Sequence, residues 1–392
     1  MPKKRNDKRP AYRNATELVL AGRSPFEYHG FVNPPLFRGS TILSETYDDL
    51  LQHRGRYSYG RRGSPTTEAL SQALKIFERS FGVVLTPSGL SAISTALLAV
   101  VKSGDHILVM DTVYRPTRVV CDGILKRLGV ETTYFDPLAS DTFETLLRKN
   151  TTAVFLEAPG SQSFEMADIP RFTKVAHAHG AVTLMDNTWA TPLYFRPHEH
   201  GVDISIQAGT KYLGGHSDIN LGTISANEAL FKRVLSTHGD LGINPGPEDA
   251  SLALRGLHTM NVRLERHMES GLGIARWLKS RPEVLRVMHP ALEDDPGYAI
   301  WKRDFSGACG LFSIVLKPEY GSKIARFFDT LELFGMGYSW GGFESLAIPF
   351  DCSSYRTATT WNPGGPAVRL HIGLEDPADL MADLENGLHA LA

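Results

Sequence analysis

The chain has 392 residues, more than a single hydrophobic core usually organises, and its 42% apolar content suits a globular protein rather than a disordered or fibrous one. A formal net charge of −2 gives no overall field of the kind nucleic-acid binding needs, and three scattered cysteines, Cys121, Cys309 and Cys352, make neither a disulfide framework nor a metal site. With no apolar stretch long enough for a bilayer and no signal-peptide core at the start, a protein of the reducing cytoplasm is expected.

In chain order, Lys3, Lys4, Arg5, Lys8 and Arg9 form a basic cluster that reads as a solvated tail rather than a nucleic-acid arm. Residues 1–60 are otherwise irregular, broken by Pro25, Pro34 and Pro35, yet they carry Phe31, Val32, Leu36, Phe37, Ile42 and Leu43. This pattern predicts an arm buried against a partner subunit. From about residue 65, strand and helix alternate. Gly82–Thr86 reads as a strand, and Leu90, Ile93, Leu97, Leu98 and Val101 follow at helical spacing. His106–Met110 is the next strand, 119–128 the next helix, and 130–135, 152–156, 181–185 and 203–207 are further strands. Such alternation predicts a largely parallel sheet under helices, with its ligand edge at the strands' carboxyl ends. Beyond about 255 the pattern loosens to a long helix over 251–280, a strand at Leu311–Leu316, another at 368–372 and a final helix over 378–391. The expected division is an arm (1–60), a large domain (61–255) and a smaller α+β domain (256–392).

The strand ends carry the chemistry. One strand ends in Asp186, and the next runs into Ala208-Gly209-Thr210-Lys211. A carboxylate and a lysine from strand ends of one sheet suit pyridoxal phosphate, which needs an amine for its aldehyde and an acid for its pyridinium nitrogen; two polar residues capping strands is the alternative. Ser88-Gly89-Leu90 opens a helix whose free N–H groups either hold a phosphate or form an ordinary cap. Tyr114, at another strand's carboxyl end, either lies against a ring or packs at the sheet edge. Thr210 can reach a phosphate beside Lys211. Arg61, within Tyr57-Ser58-Tyr59-Gly60-Arg61-Arg62-Gly63, is a phosphate clamp or part of a solvated turn. Arg369 stands inside an apolar strand and needs a counter-charge, either a substrate carboxylate or a structural acid. His216-Ser217-Asp218 are adjacent and cannot easily form a triad, and His177 and His179 point apart on a helix, so no metal is expected.

Several long motifs now stand in one order: Tyr59-Gly60-Arg61-Arg62-Gly63, Gly104-Asp105-His106, Phe155-Leu156-Glu157-Ala158-Pro159-Gly160-Ser161, Asp186-Asn187-Thr188-Trp189-Ala190, Ser205 through Tyr212, and Arg369-Leu370-His371-Ile372-Gly373-Leu374-Glu375-Asp376. From Tyr57 to Leu391 the chain resembles the Cys/Met-metabolism PLP enzymes of fold type I. The resemblance implies an α/β fold with a mostly parallel seven-stranded sheet, helices on both faces, and a smaller α+β C-terminal domain. It implies pyridoxal 5′-phosphate as cofactor, with Lys211 as the Schiff-base lysine and later proton carrier, Asp186 on the ring nitrogen and Tyr114 stacked on the ring. Ser88, Gly89, Leu90 and Thr210 would hold the phosphate within a subunit, and Tyr59 and Arg61 would hold it from the neighbour. Arg369 would bind the substrate carboxylate, with Ser339, Trp340, Asn187 and Tyr59 lining the substrate site. A homo-oligomer follows, usually a tetramer built as a dimer of dimers, acting on a small amino-acid thioether without nucleic acid or membrane.

Relatives in this family perform β-elimination, γ-elimination or γ-replacement. Trp340 in Tyr338-Ser339-Trp340-Gly341-Gly342, where γ-type members commonly carry leucine, points to the β-branch, as does Trp301-Lys302-Arg303-Asp304-Phe305 after His289-Pro290-Ala291-Leu292. The expected reaction is β-elimination of L-cystathionine to homocysteine, pyruvate and ammonia, a step of methionine biosynthesis. The alternatives are a cystathionine or methionine γ-lyase, a γ-synthase, or a broad cysteine-S-conjugate β-lyase. Residues 236–250 match none of these motifs.

Overall fold

A computed structural model describes residues 12–392; the basic cluster of Lys3 to Arg9 lies outside the described residues. The elements in order are α1 (Asn14–Leu20), α2 (Tyr47–Leu51), α3 (Pro65–Glu78), β1 (Gly82–Thr86), α4 (Gly89–Val100), β2 (His106–Met110), α5 (Arg115–Val120), β3 (Glu131–Phe135), β4 (Thr151–Glu157), α6 (Ile169–Ala178), β5 (Val182–Asp186), α7 (Thr191–Tyr194), β6 (Ile204–Ala208), β7 (Gly222–Ala226) and α8 (Glu228–Asp240). Then come α9 (Pro247–Lys279), β8 (Val284–Met288), α10 (Tyr298–Asp304), β9 (Leu311–Leu316), α11 (Ile324–Thr330), β10 (Leu346–Phe350), β11 (Ala367–His371) and α12 (Pro377–His389).

The large sheet has seven strands in the order β1-β7-β6-β5-β4-β2-β3. All neighbours pair in parallel except β7, which runs against both β1 and β6. Helices cover both faces, so the inner strands are buried throughout, and Phe155, Leu156, Leu184, Met185, Ile204 and Ile206 are near-continuous apolar runs. Buried Thr183, Ser205 and Gln207 interrupt those runs within the strands, and the acidic Glu157 and Asp186 stand at the carboxyl ends, where the crossover connections leave the sheet open. A small antiparallel sheet, β10-β11-β9-β8, packs its own core of Phe312, Ile314, Phe327, Leu370 and Leu384. The 33-residue α9 packs against α1 and α3 and also against β8 and β9; the boundary expected at 255/256 falls inside it.

Three local features differ from the sequence reading. Helix α5 begins at Arg115, not at 119, because Pro116 in its first turn has a preset φ suited to a helix start; the helix then runs on through a wider turn at Cys121–Leu125. Strand β7, Gly-Thr-Ile-Ser-Ala, went unread because it holds too few large apolar residues, and the sheet supplies the pairing. Part of the arm is buried on its own chain rather than on a partner: Leu18 of α1 is 1% exposed, and Glu17 pairs with Arg79. Farther along, Phe26, Phe31, Leu43 and Tyr47 are exposed. Among the described residues, no helix is long and apolar enough to cross a membrane, and no cluster of metal ligands is present.

Candidate active site

Four parallel strands deliver side chains to one edge. β2 leads to Tyr114, β4 ends in Glu157, β5 ends in Asp186, and β6 leads to Thr210 and Lys211. From the other side, β11 brings Arg369 and the turn 337–342 brings Ser339 and Trp340. Together with the start of α4 these elements enclose a cavity of about 240 Å³, lined among others by Ser88, Gly89, Leu90, Tyr114, Glu157, Asp186, Thr210, Lys211, Trp340 and Arg369, whereas Ser339 reaches Lys211 without lining the cavity itself.

Lys211 brings an amine into this pocket. Its Nζ donates to Ser339 Oγ at 2.7 Å and lies 5.3 Å from the centre of the Trp340 ring. Burial, and then the nearby Arg369 charge, lower its pKa to about 8, against the opposing pull of Asp186. The amine therefore gives up its proton far more readily than an ordinary lysine, although the ammonium still predominates at pH 7.

Asp186 Oδ1 accepts from the backbone N–H of Thr188 at 2.9 Å and from its hydroxyl at 2.5 Å, and Thr188 Oγ1 in turn accepts from Ala208 N–H at 2.9 Å. Burial still pushes the Asp186 carboxyl upward, and its second oxygen has no protein hydrogen bond among the described residues. Glu157 stands directly opposite Asp186 in the β4–β5 register and accepts Tyr114 N–H at 2.8 Å. Burial and the Asp186 charge push Glu157 well above the carboxylate range. Two buried carboxyl groups stand side by side, both pushed toward their neutral forms, and a positive group in the cavity would favour the charged form of its nearer neighbour.

Arg369 answers the open question about its counter-charge. No carboxylate pairs with it among the described residues. Its Nη2 donates to the carbonyls of Tyr338 at 3.0 Å and Ser339 at 2.9 Å, and its buried Nε has no partner. Burial lowers its pKa to about 10, Tyr114 and Tyr212 opposing. A guanidinium held this way is ready for an incoming carboxylate.

The start of α4 is an anion cradle. Ser88 takes up the N–H of Ser91 with its hydroxyl and that of Ala92 with its carbonyl, so the amides of Gly89 and Leu90 remain for a ligand. A Cβ on Gly89 would lie 2.6 Å from Ala208 Cβ, so only glycine lets the helix start come this close to β6. Thr210 lines the cavity, with its hydroxyl joined to the backbone of Leu221. An amine, an acid needing a cationic ring nitrogen and an anion cradle fit pyridoxal phosphate.

Other expected residues lie elsewhere. Asn187 does not line the cavity: its amide donates to Phe195 O at 2.9 Å and braces the turn after β5. Tyr59 is about half exposed, and Arg61 donates to Gly239 O at 3.0 Å in a separate hollow beside Arg62 and His238, away from this chain's own cavity. His216 and Ser217 form no triad; Ser217 donates to Glu344. His177 is paired with Asp203, and His179 with Arg148 O. Glu157 and Gln162 line the cavity and were missed. The strand-end rule that found Asp186 and Lys211 also finds Glu157, whereas Gln162 sits on a loop with no such signal.

Residues 15–389 match the family described as Cys/Met metabolism PLP-dependent enzyme. The chain is similar to a protein of Rhizobium johnstonii named "Putative cystathionine beta-lyase", 53% identical over 379 residues that cover 96% of each chain. It is similar to the cystathionine beta-lyase MetC of Escherichia coli, 40% identical over 95% of this chain and 97% of that one. Among solved structures, metB from Corynebacterium glutamicum matches with a TM-score of 0.91 at 30% identity, covering 97% of this chain and 99% of the other.

Proposed function

We propose, for a chain that belongs to the Cys/Met metabolism PLP-dependent enzyme family, β-elimination of L-cystathionine to homocysteine, pyruvate and ammonia. The observation that carries this reading is a neutral-prone Lys211 and an acid-free Arg369 facing one cavity beside Trp340. The similarity to proteins named cystathionine beta-lyase supports the choice of substrate.

Pyridoxal phosphate, when bound, supplies an aldehyde for amines and a cationic conjugated ring that takes up the electron pair left at Cα. Lys211 would hold the cofactor through its amine until the substrate amine displaces it, which frees Nζ. Asp186, braced by Thr188, would keep a proton on the ring nitrogen, and Tyr114 would stand against the ring. Gly89 and Leu90 N–H groups, with Thr210 beside them, hold the phosphate. Arg369 takes the substrate α-carboxylate through its free N–H groups and so turns Cα toward Lys211. Neutral Lys211 removes the Cα proton; as the Cβ–S bond breaks, the resulting ammonium returns a proton to sulfur, and homocysteine leaves. Water then hydrolyses the three-carbon fragment to pyruvate and ammonia. Trp340 narrows the cavity beside the carboxylate site.

Tyr59 and Arg61 act, in this reading, on the phosphate of a neighbouring subunit, which makes a dimer the smallest active unit and a tetramer its expected assembly. Three buried, unpaired thiols suit the cytoplasm. Incubation of the purified holoenzyme with L-cystathionine and identification of both products tests the reading. Homocysteine with pyruvate supports it; cysteine with 2-oxobutyrate moves the reaction to the γ-branch.

A further inference from the structure

Ser339 and Trp340, the two side chains that meet Lys211, sit on the irregular turn 337–342, and β11 holds that turn. Arg369 and His371 are two residues apart, so their side chains leave the same face of the strand. Arg369 Nη2 reaches the carbonyls of Tyr338 and Ser339. His371, fully buried, places Nε2 3.1 Å from the Gly341 nitrogen. On the opposite side, Gly341 lies against the lysine itself: its φ is +85°, and a Cβ there would stand 3.0 Å from Lys211 Cα. The turn is therefore pressed between β11 and the Lys211 segment, and its displacement carries Ser339 Oγ away from Lys211 Nζ.

The chemistry of the ring fits this task. Burial and the nearby His267, Arg369 and Lys211 hold His371 well below the ordinary histidine value, so the ring stays neutral. Its Nε2 faces both Gly341 N–H at 3.1 Å and Gly342 O at 3.2 Å, so in either tautomer it bonds to the turn. The buried Nδ1 of His371 has no protein partner, and neither has Nε2 of His267, whose Nδ1 is 2.7 Å from Ile372 O. The two rings lie 5.3 Å apart.

We propose that His371 is a positioning residue for the reaction: by bonding the Gly341–Gly342 backbone through Nε2 it sets the turn 337–342 and, through it, the placement of Ser339 and Trp340 over Lys211. It touches neither substrate nor reacting atoms. The inference rests on Lys211 as the reacting amine, not on which carbon–sulfur bond breaks.

The test compares His371→Ala, His371→Asn and His371→Gln. The glutamine amide oxygen extends to the place of Nε2, and the asparagine oxygen stops short of it. Arg369 and Asp186, the charged groups that face Lys211, are unchanged in all three. One readout is kcat and KM of the holoenzyme with L-cystathionine. The other is the pH midpoint for acetylation of Lys211 in the full-length, cofactor-free chain, followed by mass spectrometry of its peptide. Alanine and asparagine should lower kcat about 10²-fold, the cost of slight misplacement in a reacting site, with a smaller change in KM. Their Lys211 midpoint should rise from about 8 toward that of an ordinary lysine as water reaches Nζ, and glutamine should restore both readouts. Equal behaviour of asparagine and glutamine overturns the proposal, as does an unmoved midpoint in folded His371→Ala. Should alanine fail to fold, the asparagine–glutamine contrast decides alone. Failure of the functional reading would look different, since γ-cleavage products leave the Lys211 midpoint shift intact.

Discussion

Lys211 titrates low because it is buried beside Arg369, and that shift has a consequence for stability as well as for reactivity. Between about 8 and 10.5 the unfolded chain binds more protons than the folded one, so this group's contribution to stability rises with pH across that window. Below about 8 the buried ammonium costs stability in full. Lys211→Met should therefore raise the thermal midpoint of the cofactor-free chain at pH 7, with the gain shrinking toward pH 10.5; scanning calorimetry at the two pH values checks it, and a loss at pH 7 contradicts it. The same change should abolish the visible absorbance of covalently held cofactor and lower turnover by about 10³-fold, the scale of a lost proton carrier. Arg369→Ala removes charge-assisted bonds to the carboxylate and should raise KM about 10- to 100-fold while leaving cofactor affinity nearly unchanged. Steady-state kinetics and fluorescence titration with the cofactor separate the two effects.

Among the elements, the segment that follows β10 clasps the loop bearing Tyr114. Asp111, fully buried, accepts Thr357 N–H at 3.0 Å, Thr359 N–H at 2.8 Å and Thr359 Oγ1 at 2.6 Å, and pairs with Arg118 at 2.7 Å. These bonds hold its carboxyl below the usual range despite burial. Nearby, Arg356 donates to Glu165 at 2.9 Å, so the same segment also grips the loop after β4. Asp111→Ala leaves Arg118 buried without its partner and should cost about 3–5 kcal/mol, read from urea denaturation. At the start of α4, Gly89→Val drives a side chain into Ala208, separates the helix start from β6 and should weaken cofactor binding more than stability; apparent Kd against thermal midpoint distinguishes the two.

On the scale of the whole molecule, Tyr59 and Arg61 lie away from the cavity of their own chain, and the arm leaves Phe26, Phe31 and Tyr47 exposed. If each site draws Arg61 from a partner, Arg61→Ala and Lys211→Ala chains complement each other. A mixed dimer then holds one site with both wild-type groups, and random exchange of equal amounts should recover about a quarter of wild-type activity, by the symmetry of paired sites. Recovery no greater than the sum of the separate variants sinks the cross-subunit contact.

The sequence by itself determined the parallel sheet and the ends of its strands. Strands buried on both faces are mostly apolar, so the charged Asp186 at the end of one and Lys211 just beyond the next stood out. It also determined the arginine in β11, because a charge inside an apolar strand demands a partner. Only the tertiary structure decided the rest. Strand β7 depends on neighbours for its pairing, and its composition carries too little apolar signal. Glu157 becomes a neighbour of Asp186 through the β4–β5 register, and Asp111 meets Thr357 and Thr359 from 246 and 248 residues away. His371 finds Gly341, and Arg369 is left without an acid, for the same reason: hydrogen-bond partners remote in the chain are chosen by crossover topology and close packing, which no local spacing records.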